Sequence, residues 1–324
     1  MINPSDTIIA YLTDKDIRHH ATSGGIGSGV VKELFKRGLI KSAISQIYNQ
    51  ENHRYTPIII HKEEDYVVSG SIYHEINLIK FVSENIKNIK SPFACFALPC
   101  QVTPIKHILD KHNIESYIIE LTCSSQQSFE ATEFLIKNCN LTTEQILSIR
   151  YRGGGWPGGI TITLKNGTSV FLDNNTSLWT QIFHSHLFIM PRCFFCSPTR
   201  NTGSDLILAD PWMIDQPAKE KEGRSLCRVK TPKMSSLLSY MANDGLIACE
   251  KRSEDDFRYS QMGTIIRKNF NFRHPQITRF TRDLLRNKPY RKIVLSNIYF
   301  FKLHCFVYKT IFRVLHKVDY IFNR

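Results

Sequence analysis

Long apolar runs are missing from this chain of 324 residues. No stretch reaches the ~18 uninterrupted apolar residues of a spanning helix, so none is expected. The N-terminus (MINPSDTIIAYLTDKD) lacks a basic stretch followed by an apolar core, so no secretory leader is expected either. Internal repeats and low-complexity linkers are absent. Acidic side chains are in the minority, 29 Asp and Glu against 42 Lys and Arg, for a net charge of +13. The excess is local. Residues 271–324 hold 12 Lys or Arg and only 2 Asp or Glu, so the rest is nearly balanced. Whole-surface attraction to nucleic acid is excluded, because the charge belongs to a tail. No nucleic-acid recognition motif accompanies it.

What remains is globular. Hydrophobic residues make up 42% and charged residues 22%, enough to bury a core in one large or two ordinary domains. The nine cysteines are an odd count and do not resemble a disulfide framework. In a reducing cytoplasm, metal or redox chemistry is the use expected of those that cluster. Buried, inert thiols are the default for the others.

Strand-like and helix-like segments alternate in the first half. Residues 7–12, 42–48, 57–60, 93–97 and 117–122 read as strands. Residues 24–38, 101–111 and 128–138 read as helices, the first opened by a Gly-rich turn. This is an α/β layout with parallel pairing in a mixed sheet. After Arg150 the pattern becomes α+β. A glycine loop spans 153–159. A hairpin turning at Asn166-Gly167 follows, with later strands at 206–209 and 245–249. Pro275 and Pro289 bracket the way into the tail. The expected division is residues 1–270 and a basic tail, 271–324.

Cys193 and Cys196 form a C-x-x-C pair, a spacing shared by zinc sites, redox dithiols and iron–sulfur centres. Cys100 and Cys123 each stand just past the end of an expected strand. In a parallel sheet those ends lie side by side, at the edge where α/β proteins bind ligands. The four thiols can therefore converge on one soft metal centre. Spacing alone does not choose iron–sulfur over zinc. Cys95, Cys139, Cys227, Cys249 and Cys305 stand singly among helices and strands. The twelve histidines show no third ligand at a useful spacing.

At these residues the chain resembles the coenzyme F-420 hydrogenase/dehydrogenase beta-subunit family of flavin- and iron–sulfur-containing reductases. Five segments carry the resemblance over roughly residues 7–250: Tyr11 to Arg18 with Ser23-Gly24-Gly25; Ala97-Leu98-Pro99-Cys100-Gln101; Glu120-Leu121-Thr122-Cys123; Pro191-Arg192-Cys193 with Cys196; and Ser204-Asp205 with Asp210-Pro211-Trp212. The resemblance implies FAD and a 4Fe–4S cluster ligated by Cys100, Cys123, Cys193 and Cys196. It implies a flavin site at Ser23, Gly24 and Gly25, with Pro99, Gln101 and Asp210 near the flavin or the cluster. Electrons would pass between a ferredoxin-like or other donor and a two-electron small-molecule acceptor, deazaflavin-like or otherwise. Asp205 and Asp210 flank a short strand and could bond the flavin or cap backbone. Arg192 and Arg200 could stabilise an anionic cluster or simply be solvated. The glycine loop with Arg152 and Trp156 covers a ligand or only opens the hairpin.

The chain departs from the family at several points. Ser124-Ser125 stand where the family has His-Gly, Ala209 where it has glycine, and Ile72, in the segment Ser69 to Tyr73, where it has lysine. The relatives' N-terminal ferredoxin module is missing, so one cluster is expected. Relatives include a chlorophyll-derivative reductase and proteins encoded among surface-polysaccharide genes. A non-catalytic, metal- or cluster-stabilised binding protein of polysaccharide synthesis is therefore the alternative.

In the tail, Lys302, Lys309, Arg313 and Lys317 share one helical face. Leu303, Val307, Ile311, Val314, Val318 and Ile321 form an apolar stripe beside them. Two readings stand together. Residues 293–322 attach the protein peripherally to the inner membrane, or the stripe packs on the main domain or on a second copy of the chain.

Overall fold

The computed structural model describes residues 1–197, 202–214 and 221–322. Eight strands make the main sheet: β1 (Thr7–Leu12), β2 (Ser42–Asn49), β3 (Arg54–Ile60), β4 (Phe93–Ala97), β5 (Ser116–Leu121), β9 (Leu206–Ala209), β10 (Ser225–Val229) and β11 (Ile247–Arg252). Three more, β6 (Ile146–Arg150), β7 (Gly159–Leu164) and β8 (Ser169–Asp173), make a small antiparallel sheet. The main sheet is mixed, in the order β11-β1-β10-β9-β5-β4-β2-β3. β9, β5, β4 and β2 are parallel, whereas β11, β1 and β10 pair antiparallel, as do β10 with β9 and β2 with β3. The run of five apolar residues in β1, Ile8 to Leu12, suits a strand covered on both faces.

The first four helices are α1 (Lys15–His20), α2 (Ile26–Lys36), α3 (Leu78–Glu84) and α4 (Pro99–Lys111). Then come α5 (Glu130–Asn138), α6 (Leu178–His184), α7 (Pro232–Asn243) and α8 (Glu254–Ser260). On one face of the main sheet, Val30, Val31 and Leu34 of α2 and Leu237, Leu238 and Met241 of α7 pack on Ile8, Ala94 and Ile119. On the other, Val82 of α3 and Val102, Ile105 and Leu109 of α4 pack on Phe93, Cys95, Ala97 and Ile118. Alternate residues of β4 thus face opposite cores, as a period of two requires.

The tail is four helices: α9 (Met262–Arg273), α10 (Pro275–Arg286), α11 (Lys288–Ser296) and α12 (Ile298–Phe322). Pro275 and Pro289 sit in the first turns of α10 and α11, where a missing N–H costs nothing. The expected boundary at 270/271 falls inside α9. Leu285, Val294 and Phe301 of the tail share a core with the small sheet, α5 and α6. The stripe from Leu303 to Ile321 does not join that core. All six of its residues are exposed, and the opposite face of α12 is the docked one. No helix among the described residues is long and apolar enough to cross a membrane.

Candidate functional site

β1 runs in the same direction as β9, because two antiparallel pairings separate them. The C-terminal ends of β1, β4, β5 and β9 therefore share one edge of the sheet. That edge carries Ser23 to Gly25 by way of α1, then Pro99 to Gln101, Cys123 and Asp210. It is the edge where open α/β sheets bind ligands.

Cys100 lies in the first turn of α4 and Cys123 two residues past β5. Cys193 lies in a short 3₁₀ turn, residues 191–195, which Cys196 ends. The Cys193 N–H bonds to Met190 O at 2.8 Å. The four thiols lie close enough to act on one another. Burial pushes the Cys123 thiol up to about 12; Lys268 opposes this, while Cys193, Cys100 and Cys196 add to it. Burial also raises the Cys100 thiol, Arg192 lowers it, and Cys196 and Cys193 raise it. A cation would reverse this order, since thiolates are the metal-binding form. Among the described residues, no three His, Cys, Asp or Glu side chains are grouped as a single metal ion needs. One zinc with bonds near 2.3 Å holds its thiolates ~4 Å apart. Four irons and four sulfides stand between the thiolates of a cubane cluster, which sets them wider. The donor set fits that larger centre: four thiols from three segments, with cations beside them.

Those cations come mainly from α9. Lys268 Nζ donates to Cys123 O at 2.7 Å. Arg267 Nη2 donates to Ser124 O at 2.6 Å and to Ser124 Oγ at 3.1 Å. Asn271 Nδ2 donates to Phe194 O at 3.0 Å. All three side chains are buried. One helix thus ties down both cysteine-bearing loops. Sequence reasoning missed this, because no local spacing links α9 to loops more than 70 residues away. Arg192 donates to Gln126 Oε1 at 2.5 Å. Arg200 lies outside the described residues.

A second constellation surrounds Arg152, which is 2% exposed. Its Nη1 donates to Asp210 Oδ2 at 3.1 Å and to Tyr73 Oη at 3.1 Å, and its Nη2 to Thr22 O at 3.0 Å. Burial works against its charge, but Asp210 and Tyr73 outweigh burial and hold its pKa above the ordinary guanidinium value. The guanidinium carbon lies 5.9 Å from the Trp212 ring centre, and Trp212 lies 5.2 Å from Trp156. Thr22 Oγ1 accepts from Ser71 N at 2.6 Å. Four separated segments, contributing Thr22, Tyr73, Trp156 and Trp212, meet here. Two buried donors, Arg152 Nε and Trp156 Nε1, find no acceptor among the described residues. Buried donors are rarely left so. A ligand bearing carbonyl or phosphate oxygens would satisfy them, so the residues fit a flavin.

Other expected site residues have structural duties. Gln101 Oε1 accepts from Leu98 N at 3.0 Å, satisfying the N-cap backbone of α4, and its Nε2 donates to Ile76 O at 3.1 Å. Pro99 opens that helix. Ser23 Oγ lies 3.1 Å from Ser225 Oγ. A Cβ on Gly24 would stand 2.5 Å from Ala10 O and 2.6 Å from Ser225 N. Gly25 caps α2 with φ +76°. Packing alone thus suffices to require both glycines, whatever they bind. Asp205 caps backbone: Oδ2 accepts from Ile118 N at 2.7 Å and Oδ1 from Thr231 Oγ1 at 2.9 Å, at the sheet edge opposite the cysteines. Cys95 and Cys227 are buried core thiols, and burial raises both. Surface hollows lined by Lys36, Lys41 and His61, and by Glu130, Phe134 and Arg291, include none of these residues.

No curated protein matches the sequence. The fold is similar to a chain of the F420-reducing [NiFe] hydrogenase complex from Methanosarcina barkeri, solved as a xenon derivative. The TM-score is 0.60 at 15% identity, covering 83% of this chain and 93% of that one. Residues 7–82 match the N-terminal domain, and residues 91–255 the C-terminal domain, of the coenzyme F420 hydrogenase/dehydrogenase beta subunit. With most of its length matched, the chain belongs to the coenzyme F420 hydrogenase/dehydrogenase beta-subunit family.

Proposed function

We propose that the protein is an iron–sulfur flavoprotein oxidoreductase working in the cytoplasm. Cys100, Cys123, Cys193 and Cys196 would hold a 4Fe–4S cluster, and the edge between Ser23 to Gly25, Pro99 and the Arg152–Asp210 pair would hold FAD. What supports this reading is the position of four thiols from three segments: the first turn of α4, the loop after β5 and the 191–195 turn with Cys196, the first two at the ligand-binding edge of the sheet. When bound, cluster and flavin together supply the exchange between one-electron and two-electron carriers.

The protein's own part is to place and surround them. Lys268 and Arg267 put positive charge beside thiolates that become strongly anionic once ligated. Arg152 ties three other segments together through Tyr73, Asp210 and Thr22, and its buried Nε is left for a ligand to satisfy. Trp156 and Trp212 offer flat apolar faces at the same place. The donor would be ferredoxin-like or another one-electron carrier, and the acceptor a small molecule, deazaflavin-like or otherwise. The fold relative belongs to a multi-subunit complex, which supports partner subunits or self-association here.

Anaerobic purification followed by a visible spectrum tests the reading. Flavin bands over a broad cluster absorption are expected, with iron and acid-labile sulfide in equal amounts. Cys193→Ser should abolish the cluster absorption, and Cys139→Ser should leave it. A colourless protein with zinc bound would sink the reading and favour the non-catalytic alternative, because zinc has no redox chemistry.

A further inference from the structure

We propose that the outer face of α12 docks on an anionic lipid surface. The proposal is independent of what the cysteines bind.

α12 is amphipathic twice over. One face is docked: Phe301, His304 and Asp319 are buried, and Cys305, Tyr308 and His316 are half-buried. His304 Nε2 bonds to Ser185 O at 3.0 Å, and Tyr308 Oη to His186 Nδ1 at 2.6 Å. The other face is apolar and open. Leu303 is 59% exposed, Phe306 69%, Val314 57% and Ile321 60%, and Val307, Ile311 and Val318 lie along the same stripe. Ordinarily, exposed apolar side chains are scattered singly. Here 14 of the 23 large exposed apolar residues among those described fall between Phe272 and Ile321.

Charge decides what covers the stripe. Lys302, Lys309, Arg313 and Lys317 are all exposed and flank it. The only acid of α12, Asp319, is buried and paired with Arg273 and with His274 at 2.7 Å. The open face therefore carries cations and no anion. A two-fold contact with a second copy would set that face against itself, cation row to cation row, and symmetric interfaces require self-complementarity. A bilayer with acidic headgroups offers the opposite: hydrocarbon for the stripe and negative charge for the flanking lysines. That is the pattern of a helix lying in the interface plane. The same charges forbid crossing, in keeping with the lack of a spanning helix among the described residues.

Co-sedimentation of the full chain with vesicles tests this. The probes are vesicles of equal parts phosphatidylglycerol and phosphatidylcholine, and vesicles of phosphatidylcholine alone. Pelleting is expected with the first at low salt, with release at high salt, and little with the second. Lys309→Gln with Arg313→Gln and Lys317→Gln should weaken partitioning by about a hundred-fold, since each charge near the surface is worth about five-fold. Val307→Asp with Val314→Asp should abolish it. Both variants change exposed positions, so unchanged far-ultraviolet circular dichroism is expected of them. Three results overturn the proposal. One is no pelleting of the unaltered chain at low salt; another is pelleting that ignores both variants and salt. The third is a lipid-free dimer that the valine-to-aspartate variant dissolves, which assigns the face to a second copy.

Discussion

Arg152 and Asp210 form an ion pair at 3.1 Å across 58 residues of sequence, with the guanidinium 2% exposed. The pair joins the small sheet's β6 end to the C-terminal end of β9, and the arginine also holds Thr22 and Tyr73. Removing one partner leaves a buried charge uncompensated, which costs about 3–5 kcal/mol. Asp210→Ala should lower unfolding free energy by that amount in urea titration. The exposed Asp255→Ala should stay within about 0.5 kcal/mol of the unaltered chain. Equal stabilities for the two variants would show that the pair does not hold these loops together.

Lys268 sets a second expectation. Its ammonium bonds the Cys123 carbonyl at 2.7 Å. Reduction adds negative charge to a cluster, so a neighbouring cation favours the reduced form. Lys268→Gln should make the midpoint potential of the proposed cluster more negative. At ~8 Å and an effective dielectric near 20, one charge is worth about 2 kcal/mol, on the order of 80 mV for a one-electron couple. Potentiometry followed by electron paramagnetic resonance reads this directly. A purely structural role would lower cluster content and stability while leaving the potential of the remaining cluster in place.

The glycines separate packing from ligand contact. At Gly24 a Cβ would press on two backbone atoms, Ala10 O and Ser225 N, neither of which can swing aside. Gly24→Ala should therefore destabilise by ~2 kcal/mol or more. Gly263, in α9, has nothing within 4 Å of its would-be Cβ. Gly263→Ala should stabilise by about 0.5–1 kcal/mol through helix propensity alone. Thermal unfolding of both variants checks the pair. Loss of flavin from Gly24→Ala counts as loss of contact only when measured per folded molecule.

Much of this was legible in the sequence because it is local. Apolar runs marked β1, β4 and β9, and the Gly-rich turn marked the start of α2. Cys100 and Cys123 could be set side by side because parallel strands align their ends. β10 was not legible: Arg228 interrupts its apolar pattern, and the Phe257 ring together with the Glu254 carboxylate accommodates that guanidinium. The clamp by Arg267, Lys268 and Asn271 was hidden for a different reason. It depends on where a helix beyond the matched domains folds back, and no periodicity encodes that. Asp205 and Asp210 looked equivalent in sequence. Their roles separate only because a strand places them at opposite edges of the sheet.

The docking of α12 should weaken in acid. Burial lowers the pKa of His316 from 6.5 to about 4; Arg267 lowers it further, and Asp319 opposes both. Burial also lowers His184, His186 and His304, which lie in or beside the same contact. Each binds a proton more readily when unfolded than when docked, so the unfolded form gains protons first as pH falls. The stability they contribute is fully present above pH 6.5 and is lost progressively as pH drops toward 4. Asp319 acts in the same direction at lower pH: its bond to Arg273 comes first among the causes that depress its pKa, so protonation removes that support. Tyr308, also raised by burial, stays neutral throughout this range. Amide hydrogen exchange across residues 298–322 should therefore quicken between pH 6.5 and 4, after correction for intrinsic rates, while β4 and β5 stay protected. His316→Phe should flatten part of that dependence. Exchange in α12 that tracks the intrinsic rate alone over this range would show that the histidine contacts do not hold the helix down.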